Sequence, residues 1–491
     1  MPPWIATIVF AIGILWLFRI DRQPEERPSK AIWIPVCWLL IGGSRNVSEW
    51  LQLQAPMSQG ARYLEGNPFD RAILALLIAL GLVVLFNRQR QVGKILSANM
   101  PVVLFFAYCA ISSVWSDHPD VALKRWVRGF GDLVMVLVIL SDPDWLAALK
   151  RVLARVGFLL LPLSVLLIRY YPSLGRGYNM AGTGTFWTGV TSDKNGLGMI
   201  CLIFGLGGVW RFSEIYNARE LPQRKRLLLA RGILVVITLW LLWESNSMTS
   251  ISCFIMACGL MMATGRWRMA RKPVATFLLA ASAIGVSAFV LFGGGGAVLE
   301  LLGRNPTLTG RTEVWEVVLP FAQNPIVGSG YESFWLGERL QKIGDLTSNG
   351  IQEAHNGYLE IYLNLGWMGL FFLGLVIVTG YRKVALAVRR DPVTGKLRFA
   401  YFVLALIYNF TEAGFKMMNP VWIFFLLAIM VAPTPAVAES PATQPIYPGD
   451  AVAALNSRGN RALDPAFRKN DRATVATTRV FEGSKHSDFR K

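Results

Sequence analysis

The segment YLEIYLNLGWMGLFFLGLVIVTG, from Tyr358 to Gly380, decides the fold class, because Glu360 is the only charged residue in its 23 positions. A helix needs about 20 mainly apolar residues to cross a bilayer, so this segment is long enough to span one. Similar segments recur along the 491 residues, of which 53% are hydrophobic and 16% charged. A soluble domain carries about 25% charged residues. The chain is therefore predicted to be a polytopic membrane protein rather than a set of soluble domains.

Thirteen apolar segments predict an all-α membrane protein with about 12–13 transmembrane helices. The five cysteines lie inside these segments, which favours packing roles over disulfides or metal ligation. The first segment has no basic start and no small-residue cleavage site, so we interpret it as a retained helix. The segments run approximately over 4–18, 31–43, 72–86, 100–115, 129–140, 152–168, 196–210, 232–243, 251–265, 274–292, 358–380, 399–410 and 421–431.

The connecting loops alternate in basicity, which explains the net charge of +18 without nucleic acid. One set of loops, with the C-terminal tail, holds 34 of the 49 Lys and Arg residues, and the other set holds 14. Basic loops stay cytoplasmic. The N-terminus is thus predicted outside, and the tail inside.

This pattern predicts three regions. Residues 1–30 form an N-terminal helix and a cytoplasmic loop, residues 31–433 form the membrane domain, and residues 434–491 form a disordered cytoplasmic tail. The longest loop, 293–356, is extracytoplasmic, opens with four glycines, and has helical spacing over Thr312–Val318. A loop this long with its own helix is usually functional.

Candidate catalytic chemistry centres on His355, which ends the long loop just before a predicted span. Histidine is the usual side chain for moving a proton near neutral pH, so His355 is a candidate general base at the membrane–water boundary. A structural role is the alternative. If His355 is structural, Glu332 or Glu353 is the candidate base.

Cations in outer loops run against the positive-inside trend and indicate an anion site. Arg311 shares the long loop with His355, whereas Arg176 and Lys194 belong to the loop 169–195. Arginine grips phosphate oxygens with a fork of donors, so a diphosphate is a candidate ligand. Lys194 and Asn195 precede a span, where free backbone N–H groups also favour phosphate. Pairing with acids such as Glu332 is the alternative.

The remaining motifs are weak. There is no histidine pair at helical spacing, no Walker loop and no dinucleotide fingerprint, so we predict neither metal nor cofactor. Trp315 is a candidate for stacking on a sugar face, with anchoring of the loop as the alternative.

Several of these stretches resemble the O-antigen ligase and polymerase family, with the greatest likeness to exopolysaccharide polymerases of the succinoglycan type. The resemblance covers about residues 31–431, and its most specific part is the Arg311 segment with the histidine that ends the long loop. The stretches are GRTEVWEVVLPFAQNPIVGSGYESF (310–334), EAHNGYLEIYLNLGWMGL (353–370), GVTSDKNGLGMI (189–200) and AIWIPVCWLLIGGSRNVSEW (31–50).

The resemblance implies a metal-independent inner-membrane glycosyltransferase of the GT-C type, acting on the periplasmic side on undecaprenyl-diphosphate-linked oligosaccharides. It assigns the base to His355, the donor diphosphate to Arg311, and a second cation to Lys194, with Arg176 as a competing choice. This sequence has Lys194 where the ligases have an arginine. Membrane lipids and other polysaccharide assembly and export proteins are the expected partners.

Three functions remain open at this stage. The first is a polymerase that joins lipid-linked repeat units, and the second is a ligase that moves a finished glycan to lipid A–core or another acceptor. The same base and cations serve both. The third, a transporter or flippase, requires ionisable groups deep in the spans and broken helices there.

Overall fold

The computed structural model describes residues 1–23, 28–53, 66–178, 184–266, 272–291, 311–346 and 351–431. Each of the thirteen apolar segments forms the greater part of a helix, so the all-α fold class is confirmed. The helices of two turns or more are α1 Pro3–Ile20, α2 Trp33–Gly42, α3 Pro68–Asn87, α4 Gln89–Ala98, α5 Met100–Ile111, α6 Pro119–Leu140, α7 Trp145–Tyr170, α8 Lys194–Asn217, α9 Arg224–Ser245, α10 Met248–Arg266, α11 Pro273–Leu291, α12 Arg311–Val318, α13 Gly337–Leu346, α14 Gly357–Arg390, α15 Pro392–Tyr408 and α16 Pro420–Ile429.

Short elements complete the described chain. Single helical turns lie at Val47–Trp50 and Pro172–Gly175, and 3-10 turns at Lys30–Ile32, Ser112–Trp115 and Leu319–Phe321. The strands β1 Arg176–Tyr178 and β2 Thr185–Trp187 pair antiparallel. The helix predicted over Thr312–Val318 is confirmed as α12.

Fewer helices are long enough to span a membrane than the 12–13 predicted. Among the described residues, seven qualify by length and composition, namely α1, α3, α7, α8, α9, α10 and α14. The helices α4 and α5, bent by 91°, make an eighth if they form one span. The 10-residue α16 measures only about 15 Å, half of a bilayer core. Such a short helix is apolar because other helices of the bundle enclose it. An apolar pattern alone does not distinguish an enclosed helix from one that spans the bilayer.

The most buried helices form the centre of the bundle. The helices α15 and α16 pack on each other, and α15 also packs against α10 and α14. Nearly every residue from Phe399 to Tyr408 and from Pro420 to Ile429 is buried. The outer helices α1 and α3 expose large apolar side chains instead, as lipid contact requires.

Asn or Asp side chains cap the starts of many of these helices, often ahead of a proline in the first turn. A capping oxygen satisfies N–H groups that have no partner in the helix. The caps are Asn67 for α3, Asp144 for α7, Asp193 for α8, Asn356 for α14, Asp391 for α15 and Asn419 for α16.

The loops gather at two ends of the bundle, in the two sets that the charge alternation predicted. Contacts join loops of the less basic set, namely Arg45 with Val190, Ser116 with Ser333, Thr249 with Thr411 and Arg311 with Glu412. Contacts at the other end join loops of the basic set, namely Asp21 with Arg231, Ser29 with Asp142 and Lys383 with Asn99. The predicted alternation thus agrees with the packing, whereas the side of the membrane stays a prediction.

The helix α14 is broken at Gly366, where φ is +64° and ψ is −164°. The segment before α13 closes this break, since Trp367 N donates to Pro325 O at 2.8 Å and Gly330 N donates to Asn364 O at 2.8 Å. A Cβ on residue 366 would lie 2.3 Å from Ile326 O. Backbone groups that the break leaves without a partner in the helix therefore form hydrogen bonds with part of the long loop.

The chain divides into the units Met1–Pro433 and Thr434–Lys491. The second unit, and with it the predicted disordered tail, lies outside the described residues. The same holds for the glycine-rich start of the long loop, residues 293–310.

Candidate active site

The backbone around His355 is fixed from both sides. Ala354 N donates to Glu360 Oε1 at 2.6 Å, and Trp315 Nε1 donates to Ala354 O at 2.8 Å. Asn356 caps α14 by accepting from Tyr358 N at 3.0 Å. These bonds hold His355 itself at φ +49°, in the left-handed region that few non-glycine residues adopt. Such strain persists where the surrounding structure over-determines it, often at functional sites.

The segment after α15 packs directly against the start of α14. Gly357 N donates to Asn409 O at 2.9 Å and to Glu412 O at 3.1 Å. A Cβ on residue 357 would lie 1.8 Å from Asn409 Oδ1, so only glycine fits beside this segment. Residues 409–419 are thereby brought to His355, although they lie more than 50 positions away in sequence.

Two carboxylates lie beside the imidazole. His355 Nδ1 is 3.1 Å from Glu353 Oε1 and 3.5 Å from Glu412 Oε2. Each carboxylate also holds a second cation, since Arg311 Nη2 donates to Glu412 Oε1 at 2.7 Å and Lys416 Nζ donates to Glu353 Oε2. These five residues, Arg311, Glu353, His355, Glu412 and Lys416, are called the His355 cluster below.

The exposure of the imidazole shows which edge of the ring is accessible. Its side chain is 36% exposed, whereas Nδ1 itself is buried. The exposed part of the ring therefore lies away from Nδ1. This arrangement suits a base whose Nδ1 is held by a carboxylate while the opposite edge meets a reactant.

The charges of the His355 cluster shift its protonation. The carboxylates of Glu353 and Glu412 raise the pKa of His355 to about 9, against the effect of burial. Burial raises the pKa of Glu353, but Lys416 and His355 outweigh burial and hold that pKa well below its ordinary value. At neutral pH the cluster thus holds three positive groups and two negative ones, and this excess favours an anion.

Glu332 lies behind the His355 cluster, in the left-handed region at φ +52°. Burial raises the pKa of Glu332, and the charges of Arg125 and Lys416 oppose that increase. Arg125 Nη1 donates to the backbone carbonyl of Glu332, which connects α6 to this part of the long loop.

The structure brings together some of the predicted site residues. Arg311 and His355 share the carboxylate of Glu412, so their pairing follows from geometry as well as from a common loop. Trp315 donates its indole N–H to Ala354 O, which joins two parts of the long loop beside His355.

The cations of the loop 169–195 lie in different surroundings. Arg176 donates to Ile168 O at 3.1 Å and stacks on Trp187, and within the described residues it has no contact with the His355 cluster. Lys194 is exposed, and Asn195 partly so, at the capped start of α8. That start lies at the same end of the bundle, because Gly198 packs on Ser250 and the neighbouring Thr249 bonds Thr411.

Sequence reasoning missed Lys416 and the role of Glu412 as the shared partner. Lys416 is the only cation of the loop 411–420, so the positive-inside argument that singled out Arg311 would also have found it. Glu412 carried no such signal, because its importance depends on the packing of residues 409–419 against α14.

Glu353, His355 and Glu412 also form a group whose ligand atoms lie within 4.8 Å of one another, as a metal site requires. Arg311 and Lys416 already neutralise both carboxylates. A divalent cation would have to displace these two side chains, so the donor set suits the two basic residues better than a metal.

Comparison with known proteins agrees with this architecture. Residues 232–374, which include Arg311 and His355, match the O-antigen ligase family. The exopolysaccharide production protein ExoQ of Rhizobium meliloti (strain 1021) is 26% identical over 344 residues, which cover 67% of this chain and 75% of that protein. Taken with its apolar helices, these matches support a multi-pass bacterial membrane protein that is similar to the O-antigen ligase and polymerase family, with a function of that type in polysaccharide biosynthesis.

Proposed function

We propose that this protein is a metal-independent glycosyltransferase of the inner membrane that polymerises undecaprenyl-diphosphate-linked oligosaccharide repeat units on the periplasmic face. The observation that supports this proposal most is the carboxylate of Glu412, which contacts both Arg311 and His355. Arg311, a candidate for binding an anion, and His355, a candidate base, therefore lie side by side. Polymer growth is favoured over ligation because the similarity to an exopolysaccharide production protein extends over most of the chain.

In the proposed reaction, His355 takes the proton from an acceptor sugar hydroxyl. The hydroxyl oxygen attacks the anomeric carbon of the donor, and the bond from that carbon to the lipid diphosphate breaks. The diphosphate leaves with the bonding electron pair, and the proton stays on the imidazole. Glu353 and Glu412 stabilise the imidazolium that forms, as their distances from Nδ1 allow.

Arg311 is assigned to the departing diphosphate. Only its Nη2 is engaged with Glu412 in the contacts described above, so the planar fork retains further donors for phosphate oxygens. Positioned cations stabilise the negative charge that develops on a leaving group. Lys194 and Asn195 at the start of α8 are the proposed second contact.

The test is chain growth from purified lipid-linked repeat units in detergent, followed as a ladder of products. We expect His355→Asn to lower the rate by about 10²–10⁴-fold, because asparagine tolerates the left-handed backbone but cannot accept the proton. Arg311→Lys should also lose most activity, since lysine keeps the charge without the fork.

Three results would contradict the proposal. Near-normal rates in His355→Asn would show that His355 is not the general base. Inhibition by a chelator, reversed when metal is added, would show that Glu353, His355 and Glu412 bind a metal ion. Transfer of one glycan to a lipid A–core acceptor without further growth would identify a ligase.

A further inference from the structure

A second group of cations lies at the site end of the bundle, on two neighbouring helices. Arg71 is in the first turn of α3, and Arg125 and Arg128 are one turn apart on α6, so they share a face. The helices α3 and α6 pack on each other, and Arg128 lies within electrostatic range of both other arginines. Arg125 is engaged with Glu332, whereas Arg71 and Arg128 bring like charges together at an outer loop and favour a compensating negative charge.

The described part of the chain places one acid within electrostatic range of Arg128. That acid, Asp70, offsets one positive charge, but its carboxylate contacts Ser48 rather than an arginine: Oδ1 accepts from Ser48 N at 2.9 Å and Oδ2 accepts from the Ser48 hydroxyl. Within the described residues, the side chains of Arg71 and Arg128 make no hydrogen bond and no ion pair. Arg128 is nevertheless half-buried, and a Cβ on residue 66 would lie 3.2 Å from its Nη2.

The position of these arginines indicates a lipid-borne anion. Both helices become apolar directly after the cations, from Ala72 in α3 and from Gly129 in α6. On α3, exposed apolar side chains continue from this point along the helix, at Leu76, Leu80, Val83 and Phe86. A head group at the arginines would therefore place its hydrocarbon tail along a surface already suited to lipid.

The group also connects to the His355 cluster. Arg125 binds the backbone carbonyl of Glu332, and the charges of Glu332 and Lys416 interact. An anion on Arg71 and Arg128 would thus be linked to the His355 cluster through Arg125 and Glu332.

We propose that Arg71 and Arg128 form a second anion site that binds the phosphate head of a lipid. On the proposed function, on which this assignment rests, the occupant is the diphosphate of the growing or incoming acceptor, because a polymerase must hold two lipid-linked chains at once. A phospholipid head group offers the same chemistry and is the alternative source.

The experiment measures binding of farnesyl diphosphate to the purified full chain in nonionic detergent by titration calorimetry. We expect two sites per chain. Arg311→Gln should remove one, the double variant Arg71→Gln/Arg128→Gln should remove the other, and combining all three substitutions should abolish binding. Arg128→Lys should weaken the second site by about tenfold, since it retains charge but loses the fork.

Lys124→Gln is the matched control, because Lys124 is an exposed cation on α6 that pairs with Asp120 one turn away. It should retain both sites. Tryptophan fluorescence melts establish that each variant is folded, and Arg128→Lys carries the test if the double variant is not. A single site that Arg311→Gln alone removes would overturn the inference, as would two intact sites in the double variant.

Competition distinguishes the two sources of phosphate. If excess phosphatidylglycerol displaces farnesyl diphosphate from the Arg128 site, the acceptor assignment is wrong and the site belongs to a phospholipid. Binding is measured without turnover, so the two proposals can fail separately. If the protein binds at two sites but makes no polymer, only the proposed function is contradicted. A polymerising chain with one site contradicts only this inference.

Discussion

The imidazole of His355 carries a proton at neutral pH, which bears directly on how it would act as a base. With a pKa of about 9, only a small fraction is neutral at pH 7, but that fraction is a stronger base than an ordinary histidine. Glu353 and Glu412 cause this shift, so the resting charge and the basicity of the site have the same origin.

This pKa predicts the pH dependence of the reaction. If His355 is the general base, kcat/KM should rise about tenfold per pH unit below about pH 8 and level off above about pH 9, because the neutral imidazole is the active form. Rates of chain growth at low substrate concentration, from about pH 6 to about pH 10, measure this profile. A rate that is constant at neutral pH and falls above pH 9 would mean that the imidazolium is the active form.

Lys416 should influence the midpoint of the pH profile indirectly, as a positioning residue that acts through Glu353. Replacing Lys416 with Met removes a positive charge near His355 and leaves Glu353 to act on the imidazole alone. The pKa of His355 should rise, and the midpoint of the profile should move to higher pH. Lys416→Arg should retain the original midpoint. A midpoint that is unchanged in Lys416→Met would show that Lys416 only supports the fold.

At the scale of elements, the break in α14 determines how the long loop meets the bundle. A Cβ at Gly366 would clash with Ile326 O, and the backbone there lies in a region that essentially only glycine adopts. We expect Gly366→Ala to lower stability by about 1–3 kcal/mol or more and to reduce activity. Thermal unfolding in detergent, followed by tryptophan fluorescence, measures the change.

The same helix offers a control. A Cβ on Gly374 would meet nothing within 4 Å, so Gly374→Ala should be neutral or slightly stabilising. Equal effects of the two substitutions would contradict the role given to the break.

The sequence predicts the helices well and the site only in part. Long apolar runs identify the helices because lipid and a buried bundle both exclude polar side chains. His355 and Arg311 can be paired because they share a loop. Lys416 and Glu412 come from a distant segment that reaches them only through packing on Gly357, and Gly366 resembles any tolerated glycine in an apolar run. Lys416 can be singled out as an outer-loop cation, but its contact with the His355 cluster, the role of Glu412 and the break at Gly366 have no local pattern.

At the scale of the whole molecule, the loops separate into two ends, and the basic end is predicted to be cytoplasmic. Glu338→Cys on α13 and Glu220→Cys between α8 and α9 test this orientation, because both positions are exposed and belong to opposite ends. In intact spheroplasts, an impermeant thiol reagent should label residue 338 alone. After lysis it should label both.

The unmodified chain is the background control, since its own five cysteines all lie within helices. Labelling of residue 220 in intact spheroplasts, with residue 338 protected, would invert the proposed topology and place the His355 cluster in the cytoplasm.

The sharing of Glu412 by Arg311 and His355 has a thermodynamic consequence. A diphosphate that engages Arg311 weakens that arginine's hold on Glu412 and leaves the carboxylate to the imidazole, while adding negative charge nearby. Donor binding and proton binding therefore reinforce each other, and by reciprocity the donor binds more tightly as pH falls through the pKa of His355. The acceptor's proton is accepted most favourably once the donor is in place. A hydroxyl that arrives alone, including that of water, meets a weaker base.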